Sequence, residues 1–186
     1  MTTPPAPEIR AVSRKLSAAD FPGTIRAHYP YWDTQYRLFL IKAVEAFPIQ
    51  HFDFKPRPEL GTARQLIMHI AEAEWGWIEG IVEGRPYEPW LVDHEDPSQG
   101  WVSVREEPAD HAGLLRLLED AHQPTQRWFD RPTDELARVI TFTPDDGVER
   151  RMTLHWILDH VQEHEIHHRA QLNTYLRLLG IELPSI

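Results

Sequence analysis

Cysteine is absent from the 186-residue chain. Its absence excludes disulfides, zinc–thiolate sites and a cysteine nucleophile, so any bound metal must be held by nitrogen and oxygen donors. It also fits a reducing compartment, and a cytoplasmic location is expected. Basic residues are in the minority: 19 Lys and Arg face 29 Asp and Glu, for a formal net charge of −10. Nucleic-acid binding through a broad basic surface is excluded on that balance, because such binding works by releasing counterions with Lys and Arg. No run approaches the roughly 18 apolar residues of a membrane span. The opening MTTPPAPEIRAVSRK lacks an apolar core, so no secretory signal is expected there. Residues 1–23 read as a loose, Pro-rich N-terminal extension and residues 24–186 as one domain. No internal repeat has a solenoid period.

Four long segments carry helical periodicity. The first, about 24–47, repeats apolar residues at Trp32, Tyr36, Leu40, Ala43 and Phe47, with Pro30 near its start and Pro48 after its end. The second spans about 62–84, from an N-cap at Thr62 to a stop at Gly84-Arg85-Pro86. The third covers about 109–130, with Pro124 expected to bend it. The fourth runs from an N-cap at Thr153 to about Leu179, with Gly180 at the C′ position. Residues 138–152 show a short β-hairpin signal around Asp146-Gly147. Residues 85–108, with Trp90 and Trp101, read as a long irregular connection that either covers a site or packs on the surface. The fold class is therefore all-α: a four-helix bundle with a short β-hairpin before the last helix.

The segment HVQEHEIHHRAQL places His160, His164, His167 and His168 within nine positions. At about 100° per residue, His168 falls inside the apolar stripe of Ile157, Val161, Leu172, Tyr175 and Leu179. His164 lies at its edge, one turn away, while His160 and His167 lie further out. On the second helix His69 faces inward with Leu66, Ala73 and Trp77. Three imidazoles from two helices can thus converge, and three neutral imidazoles leave at least one coordination position open. A single apolar-face histidine is more often a hydrogen-bonded core residue, and H-x-x-x-H alone has many accidental matches. His155, His160 and His167 read as surface or supporting residues; His28, His51, His94, His111 and His122 have no helical partner. Glu72 and Glu74 flank His69 as acceptors for a ligand or, more simply, as a solvated helix face. HEIHH matches the zinc-protease H-E-x-x-H literally, but a protease also needs an edge strand for its substrate. Glu165 is either a catalytic base for water or an exposed carboxylate.

The stretch TLHWILDHVQEHEIHHRAQLNTYLRLLGIELP resembles the last helix of the DinB-like family. The family pattern H-E-x-x-H-R-G-Q is matched by His164, Glu165, His168, Arg169 and Gln171, with Ala170 in place of Gly, followed by Leu176-Arg177 and Gly180. QLIMHIAEAEWGWIEG resembles the family's second helix and aligns His69 with its first ligand. The resemblance covers roughly residues 24–182. It implies an up-down-down-up bundle and a divalent metal, zinc or nickel, on His69, His164 and His168. It also implies a homodimer and a small-molecule substrate. Relatives include transferases and isomerases that use an external low-molecular-weight thiol; others are described only as metal-dependent hydrolases. Two further readings compete: a non-catalytic stress-response binding module, and a DNA-damage factor, which the charge of −10 opposes.

Overall fold

The computed structural model describes residues 22–144 and 146–185; the proposed N-terminal extension up to residue 21 lies outside them. The described chain is mostly helical, with four α-helices and two small antiparallel sheets. Helix α1 spans Arg37–Ala46, α2 Ala63–Trp75, α3 His111–Phe129 and α4 Leu154–Leu178. Helix α2 packs against both α3 and α4, and α1 packs on α3 and α4. Among the described residues, no helix is long and apolar enough to cross a membrane.

The first segment is less regular than its periodicity predicts. A short 3-10 turn, Ile25–Ala27, and a π-helical turn, Trp32–Tyr36, precede α1. Pro30 lacks an N–H and cannot continue a helical ladder, so regular structure begins only beyond it. Pro48 forces Phe47 into extended backbone (φ −79°, ψ 117°) and ends α1 at Ala46. The other boundaries follow their caps. Thr62 and Gln65 form a reciprocal capping box at α2, and the Thr153 side chain accepts from the Trp156 N–H at α4. At the far end of α4, Ile181 N–H donates to Leu176 O around Gly180 (φ 71°), a Schellman-type stop. Beyond Trp75, α2 continues as a π-helical segment, Gly76–Val82.

The hairpin before α4 pairs β3 (Val139–Phe142) with β4 (Arg150–Thr153) in the register Val139↔Thr153, as its turn residues suggest. A second pair occupies the connection read as irregular. Strand β1 (Leu91–Asp93) runs antiparallel to β2 (Trp101–Ser103), with Val92 opposite Val102. Three-residue strands carry too few alternations to register as a period.

The core has an unusual division. One apolar cluster gathers Leu40, Phe47, Leu66, Ile70, Leu114, Leu118, Leu172 and Leu176. Another gathers Trp32, Ile78, Trp128, Phe129, Ile157 and Val161. Each helical strip passes through a buried polar residue between the two. Arg37 lies between Trp32 and Leu40, Glu74 between Ile70 and Ile78, His122 between Leu118 and Phe129, and Glu165 between Val161 and Leu172. These residues form a connected belt. Arg37 Nη1 donates to Glu74 Oε2 at 3.1 Å and to Glu165 Oε2 at 2.7 Å, and Nη2 donates to the Leu118 carbonyl. One guanidinium on α1 thus reaches α2, α3 and α4. Thr125 Oγ1 and Trp32 Nε1 complete the belt by donating to Glu74 and Glu165. Buried charges persist only when paired in this way.

Candidate metal centre

Helices α2 and α4 bring His69, His164 and His168 together. One ligand-capable atom from each lies within 4.8 Å of the others. The His164 and His69 Nε2 atoms are 3.1 Å apart, close enough for one ring to donate to the other's lone pair. The His69 ring centroid lies 4.8 Å from both others, and those of His164 and His168 are 4.2 Å apart, the expected stacking of residues one turn apart. All three rings are part-buried.

Electrostatics keep the rings neutral at physiological pH. Burial lowers all three, since it disfavours the charged form. Repulsion from His168, His69, His160 and His167 adds to it at His164, which is pushed down to about 3. His168 falls to about 4, with a bond to Gln171 acting in the opposite direction. Neutral imidazoles present lone pairs, and an all-nitrogen set of this kind suits zinc, nickel, copper or iron(II).

Gln171 had no role assigned from the sequence. Its Oε1 accepts from His168 Nδ1 at 2.8 Å, and its Nε2 donates to His167 Nε2 at 3.0 Å. The first bond fixes the His168 tautomer with its proton on Nδ1, leaving Nε2 as the free lone pair. The i,i+3 and i,i+4 spacings to His168 and His167 were readable in advance. His167 is exposed and touches the cluster's edge through its bond with Gln171; His160 stacks on Trp156 at 5.0 Å and meets Trp77 edge-on. His155 sits near the exposed Asp159.

The two carboxylates beside His69 do not form a solvated face. Glu72 is 5% exposed and Glu74 2%. Glu74 belongs to the belt. Glu72 Oε1 accepts from Tyr87 Oη and Trp90 N, both at 2.7 Å, and from Leu91 N at 3.4 Å. It therefore ties the 85–108 connection to α2, one turn from His69. Glu165 is not an exposed carboxylate either: at 3% exposure it faces Arg37 and Trp32. It lies about 100° around α4 from His164, next to Leu172 on the inward stripe, so its burial was legible on the helical wheel.

The connection also covers His69. The Trp101 ring lies 4.5 Å from that of His69, and it sits against Gly61, where an added Cβ would come within 2.4 Å of the indole. Between this roof and α2 is a cleft of about 520 Å³ lined by His69, Glu72, Tyr87, Leu91, Asp93 and Trp101 among others. A second cleft of about 570 Å³ shares Glu72, Ala73 and Tyr87 with it and extends to Trp77, Phe142 and Arg150.

Comparison with known proteins bears on the family and the fold. A family model described as the DinB family matches residues 24–186. A DinB-like protein from Bacillus cereus ATCC 10987 is similar in fold at 18% identity, with a TM-score of 0.59 over 88% of this chain and 98% of that one. A DinB-like protein from Bacillus subtilis is similar at 24% identity, with a TM-score of 0.57 over 81% of this chain and 90% of that one. Among curated proteins, no significant match is found.

Proposed function

The chain belongs to the DinB family, and on that premise we propose that it is a metal-dependent enzyme in which His69, His164 and His168 hold one divalent ion, zinc or nickel. The observation that carries this reading is the convergence of three neutral imidazoles, from two helices, within 4.8 Å. Bound there, the ion supplies Lewis acidity that lowers the pKa of a thiol or a water. Gln171 holds the His168 lone pair in place, and Trp101 with the 85–108 connection shields the His69 side from bulk water. The set of three protein donors among the described residues supports an open, catalytic site over a filled structural one. Glu165, engaged by Arg37 and Trp32, is not the base in this reading.

Transfer of an external low-molecular-weight thiol to a small electrophile is the preferred reaction, because the chain has no thiol of its own. Hydrolysis by an activated water is the second reading. We extend the proposal to an up-down-down-up helix order, a homodimer, a cytoplasmic location, and a domain of residues 24–186. The test is to titrate metal-free protein with zinc and nickel, then assay each form with bacterial thiols and a chloro-nitroarene. One ion per chain and a metal-dependent rate are expected. No rate above background with any thiol would defeat transfer, and no stoichiometric binding would defeat the whole reading.

A further inference from the structure

The cleft beside His69 has a one-sided wall chemistry. Glu72 and Asp93 both line it, and no Lys or Arg does. Glu72 is the informative member. Its Oε1 already accepts the Tyr87 hydroxyl and the Trp90 and Leu91 amides, while among the described residues Oε2 has no partner. A carboxylate only 5% exposed ordinarily has both oxygens answered by donors. Here the connection satisfies one oxygen and fixes the carboxylate plane, while the other takes no protein donor, on a residue that lines this cleft and its neighbour. The rings of Tyr87 and Trp101 complete the lining, and aromatic faces attract cations.

We propose that this cleft binds the cationic amino group of a small molecule, with Glu72 Oε2 as its direct acceptor. Asp93 adds attraction at the mouth, and Tyr87 and Trp101 form the walls. This assigns an amine-bearing substrate class to the centre proposed above; it rests on that reading for the reaction but not for the binding. A divalent ion on the histidines would repel an ammonium, so binding in the metal-free chain should be the tighter of the two states.

The experiment is an NMR titration of the full chain, metal-free and zinc-loaded, with benzylamine, benzyl alcohol and phenylacetate. Benzylamine should bind at least about tenfold more tightly than benzyl alcohol, as expected for a charge-assisted over a neutral hydrogen bond. Phenylacetate should bind weakest. Glu72→Gln keeps a carbonyl oxygen for the three loop donors but turns an NH₂ toward the cleft, and it should abolish the amine preference. Asp93→Asn should reduce it by a smaller factor. Equal binding of amine and alcohol by the native chain would overturn the proposal, whether or not the Gln variant folds. So would a Glu72→Gln protein that keeps the preference, or one that alters only zinc affinity. Zinc stoichiometry, measured on the same samples, separates the two readings: amine selectivity without zinc binding defeats the metal enzyme and leaves this site standing.

Discussion

His122 and His164 are both shielded from water, yet they titrate in opposite directions. Burial pushes each toward the neutral form. At His122 the Glu74 charge, with bonds to Asp33 Oδ1 at 2.9 Å and Glu74 Oε1 at 2.6 Å, outweighs burial and holds the imidazolium up to about 9. At His164 the neighbours are other imidazoles, which reinforce burial. The same side chain is a fixed cation in the belt and a neutral lone-pair donor in the cluster. The partner, not the depth, decides which.

The contrast predicts that substitutions in the two regions fail differently. Arg37→Met leaves Glu165 buried with no counter-charge, its Trp32 bond aside, and leaves Glu74 with His122 and Thr125 only. It should cost about 3–5 kcal/mol of stability, read by urea unfolding, because breaking a buried pair strands a charge. His164→Ala should leave the fold intact by circular dichroism while metal affinity falls by more than the roughly 10–100-fold that losing an outer hydrogen-bond partner costs. If instead His164→Ala unfolded the chain and Arg37→Met did not, the division of labour would be wrong. Gln171→Ala sharpens the comparison at the cluster's edge. It removes the acceptor that orients His168, and a loss of about 10–100-fold in metal affinity with unchanged melting temperature is expected from competition with a chelator.

The most gradual effect is in pH. In the metal-free protein, the raised His122 contributes stability that is fully present below 6.5 and is lost as pH rises toward about 9. The slope there is at most about 1.4 kcal/mol per pH unit for one proton. The lowered His164 and His168 act the other way: below 6.5 the unfolded chain takes up their protons first, so stability falls with pH toward about 3–4. Glu74 and Asp33, held low chiefly by His122 against the opposing effect of burial, add to the acid side. Denaturation midpoints should therefore peak near pH 6.5, and a curve rising steadily to pH 9 would contradict the assignment of His122.

The cluster was more legible than the belt for a physical reason. Helical periodicity projects His69, His164 and His168 onto inward faces, and local caps at Thr62 and Thr153 set where those helices begin. The belt pairs residues far apart in sequence, Arg37 with Glu74 and with Glu165, 37 and 128 positions away. A charged residue on an apolar stripe reads as an interruption until its counter-charge is found, and no local pattern supplies that. The β1–β2 pair and the π-helical turns escaped for a different reason, being too short to carry a period.

The reach of Arg37 across the interior has a consequence for how this sequence can change over generations. Positions 37, 74 and 165 are chemically indentured to one another, so a lone exchange at any of them meets resistance from the other two. The acid that follows His164 would then be inherited alongside an arginine from the first helix, and its presence in an H-E-x-x-H string would say nothing about proteolysis.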